Sequence, residues 1–187
     1  MKHHSLPALA CGLLLVSGCS SSYGDKKPAA DAGVAAPAAV ASAAAQMSPT
    51  AGNTAKGAVT FTEMKDGSMV VVAELEGLTP GPHAMHVHEK GDCSAPDAMS
   101  AGGHYNPEQH VHGLPPGDPR HAGDLGNLTA DAQGKARYTI TVNNITIKGA
   151  KNPIDGRAVI VHAKVDDGGQ PVGNAGGRVA CGVIVAR

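Results

Sequence analysis

The chain has 187 residues, enough for one domain with a sizeable core, and a formal net charge of −1. It carries no basic run interleaved with aromatics, which excludes nucleic acid as a partner. With no Trp, one Phe and three Tyr the core has to be aliphatic, and 25 Gly with short runs of Val and Thr point to many short strands and turns.

Lys2 precedes an apolar stretch from Leu6 to Val16, the length of a secretory leader and too short to span a bilayer. The stretch ends in Leu15-Val16-Ser17-Gly18-Cys19-Ser20, which resembles a bacterial lipobox, where the cysteine is acylated and becomes the mature N-terminus. An ordinary signal cut after small residues is the alternative; a cysteine at the required place favours the lipobox. The expectation is a signal peptide over 1–18 and lipidation at Cys19. The protein would then be exported to the periplasm and cell envelope and held to a membrane by acyl chains, each buried methylene contributing roughly 0.8 kcal/mol.

Residues 19–55 follow, dominated by alanine, with prolines at 28, 37 and 49 and no apolar stripe. That composition reads as a flexible tether giving reach from a membrane surface. From 56 to 187 the texture changes. Ala58–Glu63, Met69–Leu78, Gly81–His88, Ala136–Val142, Arg157–Lys164 and Val179–Val185 read as strands, and no helical stripe is visible. The pattern predicts an all-β antiparallel sandwich or barrel. Cys11 leaves with the leader and Cys19 takes lipid, so Cys93 and Cys181 read as one disulfide in an oxidising setting.

Alternate residues of a strand share a face, so His86 and His88 present two imidazoles together while Met85 and Val87 face the core. Two histidines on a polar sheet face are an equally good reading of that pair alone. The segment "AGGHYNPEQHVHGLPPGDPRHAGDLGN", Ala101 to Asn127, adds His104, His110, His112, His121 and Asp124 amid six glycines and four prolines. Histidines with one carboxylate suit zinc, and so many metal-type ligands are unexpected in a merely polar loop. His162 sits within an apolar strand, where a lone histidine is usually a satisfied core residue.

"HAMHVHEKGDCSAPDAMSAGGHYNP", "RHAGDLGN" and "GNAGGRVACGVI" together resemble copper,zinc superoxide dismutase in its bacterial exported branch, over about residues 56–187. The resemblance implies a Greek-key β-sandwich or barrel with long metal-binding and active-site loops. That family is itself a known case of the sandwich architecture and of near-diffusion-limited turnover. By motif, His86, His88, His104 and His162 correspond to copper ligands, and His104, His112, His121 and Asp124 to zinc ligands, with His104 bridging. Arg178 corresponds to the arginine beside copper, Asp166 to the carboxylate linking His86 to His112, and Cys93–Cys181 to the family disulfide.

The implied cofactors are one copper and one zinc per subunit. The implied reaction turns two superoxide anions into dioxygen and hydrogen peroxide as copper alternates between Cu(II) and Cu(I). It would protect the envelope from superoxide. The catalytic residues would be Arg178 and His104. A copper- and zinc-binding envelope protein without turnover is the alternative function, and the family's range of assemblies allows a homodimer.

His110 falls outside the family spacing and reads as a surface residue, and His83 as a non-ligand on the opposite strand face. Ala84-Met85 stands where the family usually has Gly-Phe, and Leu114 where glycine is common, which predicts changed packing rather than lost metal. Lys164 is a candidate for steering substrate by position only.

Overall fold

The computed structural model describes residues 38–187. The expected signal peptide over 1–18, Cys19 and the tether as far as 37 lie outside the described residues. Among the described residues, eight strands and one 3-10 turn make up the regular structure: β1 Ala39–Pro49, β2 Lys56–Met64, β3 Met69–Glu76, β4 Gly81–His88, the 3-10 turn Met99–Ala101, β5 Asp124–Ala130, β6 Ala136–Val142, β7 Ala158–His162 and β8 Arg178–Ala186. The all-β class expected from the sequence is what the chain adopts.

Every strand pair is antiparallel, in the order β5-β4-β7-β8-β1-β2-β3-β6. The chain crosses from one half of this sheet to the other between β3 and β4, between β5 and β6, and again between β6 and β7, a Greek-key path. The sheet curls into a nearly closed barrel. At the β5–β6 seam a side chain replaces the ladder: the Tyr138 hydroxyl donates to the Leu125 carbonyl at 2.9 Å.

One large core fills the barrel, with Phe61, Met69, Met85, Leu125, Leu128, Ile145, Ile154 and Ile184 among its fully buried members. A smaller cluster, Ala98, Ala101, Ala158, Ile160 and Cys181, lies under the loop that follows β4. Here the Cys93–Cys181 disulfide, with Cα atoms 5.8 Å apart, ties that loop to β8. Closing 88 residues in this way contributes on the order of 4–5 kcal/mol in the chain-entropy picture. The tie also fixes the part of the loop that approaches the site described below.

The tether expected to reach residue 55 needs correction. Residues 39–49 are strand β1, inserted between β2 and β8, with Ala45 opposite both Val59 and Ile184. Ala43, Ala45 and Met47 point into the core while Ser42, Gln46 and Ser48 face out. Alanine is a weak strand former and gives no contrast between faces, so the alternation is silent in the sequence. The two flanking strands supply the pairing, and small side chains suit a position whose neighbours are Val59, Phe61 and Ile184. Pro49, which has no N–H to give a ladder, is the strand's last residue.

β5 differs in the same direction. The segment read as loop to about Leu128 becomes a strand at Asp124. Ala84 faces Asn127 but His86 faces Asp124, so β5 holds one residue more than β4 over the same span. Gly126, at φ 81, takes up the extra residue as a bulge. Glycine and asparagine within the strand hid it from pattern reading, and the bulge is what turns Asp124 towards the barrel wall that carries His86.

A chain begun at residue 36 should therefore keep one cooperative thermal transition. A chain begun at 56 loses Ala43, Ala45 and Met47 from the core and leaves the facing edges of β2 and β8 unpaired. Near-UV circular dichroism on heating should show no transition for the shorter chain; a normal one would mean that β1 is dispensable.

Candidate metal centre

β4 carries His86 and His88 on one face, with Met85 and Val87 buried in the main core on the other, as the alternation requires. β7 ends at His162, which faces Arg178 at the start of β8 across a register shift. The loop after β4 brings His104 back to form an isolated bridge with His88. Val87 O accepts the Tyr105 N–H, and the Val87 N–H donates to Gly123 O, both at 2.9 Å. Gly123 lies so close to the Val87 carbonyl that a Cβ could not be accommodated, so glycine is required where loop and strand cross.

Two buried groups result, sharing one ring. His86, His88, His104 and His162 form the first, and His104, His112, His121 and Asp124 the second. Within each group, one ligand-type atom per residue lies within 4.8 Å of the others.

In the first group each outer hydrogen bond sets a tautomer. His88 Nδ1 donates to Gly102 O at 3.0 Å and His162 Nδ1 to Gly176 O at 3.2 Å, so their lone pairs sit on Nε2. His86 is reversed: Nε2 donates to Asp166 Oδ2 at 2.8 Å, leaving the lone pair on Nδ1. His86 Nδ1, His88 Nε2 and His162 Nε2 are all buried without a partner. Three inward lone pairs with nothing to accept from are unfavourable by themselves and fit a bound cation. An all-imidazole set is ligand chemistry suited to copper.

The second group has its Nδ1 atoms converging on Asp124. His104 Nδ1 and His121 Nδ1 lie 3.2 and 3.3 Å from Asp124 Oδ1, His112 Nδ1 lies 3.1 Å from Oδ2, and the His104 and His121 Nδ1 atoms are 3.3 Å apart. A tetrahedron with bonds of about 2.0 Å to a central ion has edges of about 3.3 Å. The spacing fits zinc. His104 turns Nδ1 to this group, which leaves Nε2 as its other ring atom for the first.

Asp166 joins the two groups from behind, Oδ2 accepting from His86 and Oδ1 from His112 Nε2 at 2.9 Å. Its backbone is held from both sides by the Asn127 amide, at 2.8 and 2.9 Å. Burial pushes the Asp166 carboxyl up, but the two histidines and the Gly168 N–H outweigh it and hold it well below the usual carboxylate range. Burial likewise raises Asp124, and the hydrogen bonds from His104 and the Gly113 N–H bring it below the ordinary value.

Arg178 stands at the open side. Its guanidinium donates to Ala98 O at 2.7 Å and Gly102 O at 2.6 Å. Gly102 O thus serves Arg178 and His88 together. A cleft of about 540 Å³ opens to solvent between His88, His104, His162 and Arg178, with Asp97 and Met99 on its rim.

The sequence-based candidates outside these groups lie elsewhere. His110 is exposed, its Nδ1 3.2 Å from Arg120 O. His83 is buried between the His162 and Thr79 carbonyls, at 2.7 and 2.8 Å. Ala84 and Met85 are both fully buried, and Lys164 is exposed beside Gly176. Sequence reasoning missed the backbone acceptors Gly102 O and Gly176 O, which no side-chain motif could flag, and the amides of Asn127 and Gln170, which act on backbone.

Burial pushes His86 down to about 4, against its Asp166 hydrogen bond; burial also takes His88 to about 2 and His162 to about 3. Unfolded imidazoles bind protons near 6.5, so between pH 6.5 and about 4 the unfolded chain holds more protons than the folded one. Stability of the metal-free protein should fall as pH falls through that window, by at most about 1.4 kcal/mol per pH unit for each ring. Urea midpoints at pH 7.5 and 5 check this; equal midpoints refute it.

The family model for copper/zinc superoxide dismutase matches residues 55–184. Among solved structures, the crystal structure of the clock protein EA4 is similar, with 43% identity over 77% of this chain and 93% of that one, at a TM-score of 0.70. With the motifs, the barrel and both histidine groups in register with that match, this chain belongs to the copper/zinc superoxide dismutase family, whose cofactors are copper and zinc.

Proposed function

We propose that this protein is a superoxide dismutase. Two superoxide anions and two protons would give dioxygen and hydrogen peroxide. His86 Nδ1, His88 Nε2, His162 Nε2 and His104 would hold copper, and His104, His112, His121 and Asp124 zinc. When bound, copper supplies the one-electron exchange and zinc, which has no redox chemistry here, supplies charge and order.

The observation that carries the reading is Arg178 at the mouth of the cleft onto three unpartnered imidazole nitrogens. Its acceptors are carbonyls, and it makes no ion pair within 4.0 Å among the described residues, so its positive charge is left for an anion. Burial lowers its affinity for the proton somewhat, and the nearby Asp97 charge works in the opposite direction. A guanidinium with fixed donors suits holding a small oxyanion. His104 Nε2 is the chain's own atom for carrying a proton to the departing peroxide. A copper and zinc store without turnover would need the ligands but not an arginine aimed into the cleft.

Loaded with both metals, the protein should accelerate superoxide decay far above buffer. His162→Ala should abolish that rate. Arg178→Ala should lower kcat/KM on the order of 10-fold and flatten its dependence on ionic strength. Decay at the buffer rate in the loaded wild type would leave the store as the function.

We further propose that the protein is exported, lipidated at Cys19 and works in the periplasm or cell envelope. Supporting this are the lipobox-like sequence and the Cys93–Cys181 disulfide, which suits an oxidising compartment. Cells given radioactive fatty acid should label the wild type and not Cys19→Ala; an unlabelled wild type refutes the anchor.

A further inference from the structure

We infer that Gln170 is a positioning residue for the second metal group, holding the backbone of His112 so that its ring can serve Asp124 and Asp166 together. The inference rests on the zinc reading of that group.

His112 is the most heavily committed ring of the centre. Its Nδ1 faces Asp124 and its Nε2 donates to Asp166, on opposite edges. A rigid ring can meet both carboxylates only if its Cα is correctly placed; Asn106 holds the His110 backbone and Asp124 accepts the Gly113 N–H, but neither touches the N–H or carbonyl of His112 itself. Val111 on one side is exposed, Gly113 follows on the other, and no strand runs alongside. Gln170 supplies what a neighbouring strand would. Its Oε1 accepts the His112 N–H at 3.2 Å, and its Nε2 donates to the His112 carbonyl at 2.8 Å. Both backbone groups of one residue are met by one side-chain amide.

The amide is itself preset. The loop that bears it folds back on itself: Gly173 N–H donates to Gly169 O at 2.6 Å, Asp167 N–H to Gly173 O at 3.0 Å, and the Asn174 amide to the Asp167 carboxylate. This loop also carries Asp166, and farther on the Gly176 carbonyl that orients His162. Two ties therefore run from it to His112, Asp166 on the ring and Gln170 on the main chain. They form a pair with Asn127, whose amide grips Asp166 in the same two-handed way. Without Gln170, water would satisfy the His112 backbone but could not fix it. Gln170 is exposed, so its loss opens no cavity and the variant should fold.

Gln170→Ala removes both bonds. Gln170→Glu keeps an acceptor for the N–H but sets a carboxylate oxygen against the His112 carbonyl, which loses the donor half selectively. Zinc retention in the copper-loaded full chain is measured by chelator competition, and cobalt(II) placed in the zinc site reports its geometry by absorption. Both variants should bind zinc about 10- to 100-fold more weakly than wild type. Their cobalt bands should shift, and the melting temperature of the metal-free protein should move little. Gln170→Asn is too short for both bonds and should resemble Gln170→Ala. Wild-type zinc affinity in Gln170→Ala or in Gln170→Glu overturns the inference, as does a loss that follows metal-free stability with unshifted cobalt bands. A wild type that takes up neither zinc nor cobalt overturns instead the zinc reading beneath it.

Discussion

Six buried imidazoles and two buried carboxylates face one another at the base of a cleft, and the surrounding structure is arranged around that constraint. Lone pairs pointing inward repel, and burial opposes protonating the rings to relieve them. Cations at its two foci would relieve that repulsion. Four of the six rings are held from outside. His88, His162 and His86 are set by Gly102 O, Gly176 O and Asp166, and His112 by Asp166 and the Gln170 amide.

The barrel supplies rigidity where direction matters. His86 and His88 come from the end of β4, one strand in from the β5 edge, His162 and Arg178 from adjacent strand ends, and Asp124 from the start of β5 behind a bulge. Register shifts occur beside His86, where β5 carries the extra residue, and beside His162, where β7 meets Arg178 at the start of β8. The loops bring what the strands cannot. The segment after β4 contributes His104 and the carbonyls that hold Arg178, and the disulfide pins that segment to β8. Arg178 and the His88 tautomer thus depend on this cross-linked loop, while the loop between β7 and β8 sets those of His86 and His162.

Most of the centre was legible in the sequence because its chemistry is carried by residue type. Histidines at alternate positions of a strand and a carboxylate three residues after His121 suggest ligands by residue type, and the resemblance to the family added the roles of His162, Asp166 and Arg178. Two strands were not legible. β1 is written in alanine, which is indifferent to face, and β5 in glycine and asparagine, which usually mark turns. Both become strands because partners on either side fix their pairing.

The sequence by itself determined the all-β class, the aliphatic core, the disulfide partners and the identity of the ligand-type residues. These follow from composition, alternation and motif, which are local properties. Only the tertiary structure decided that residues 39–49 belong to the barrel, which nitrogen of each histidine is free, and which backbone carbonyls and amides hold the rings. Those are settled by contacts between segments as far apart as Gln170 and His112, or Ala98 and Arg178. A hydrogen bond to backbone leaves no trace in residue type at the accepting end, so no reading of the chain alone could supply it.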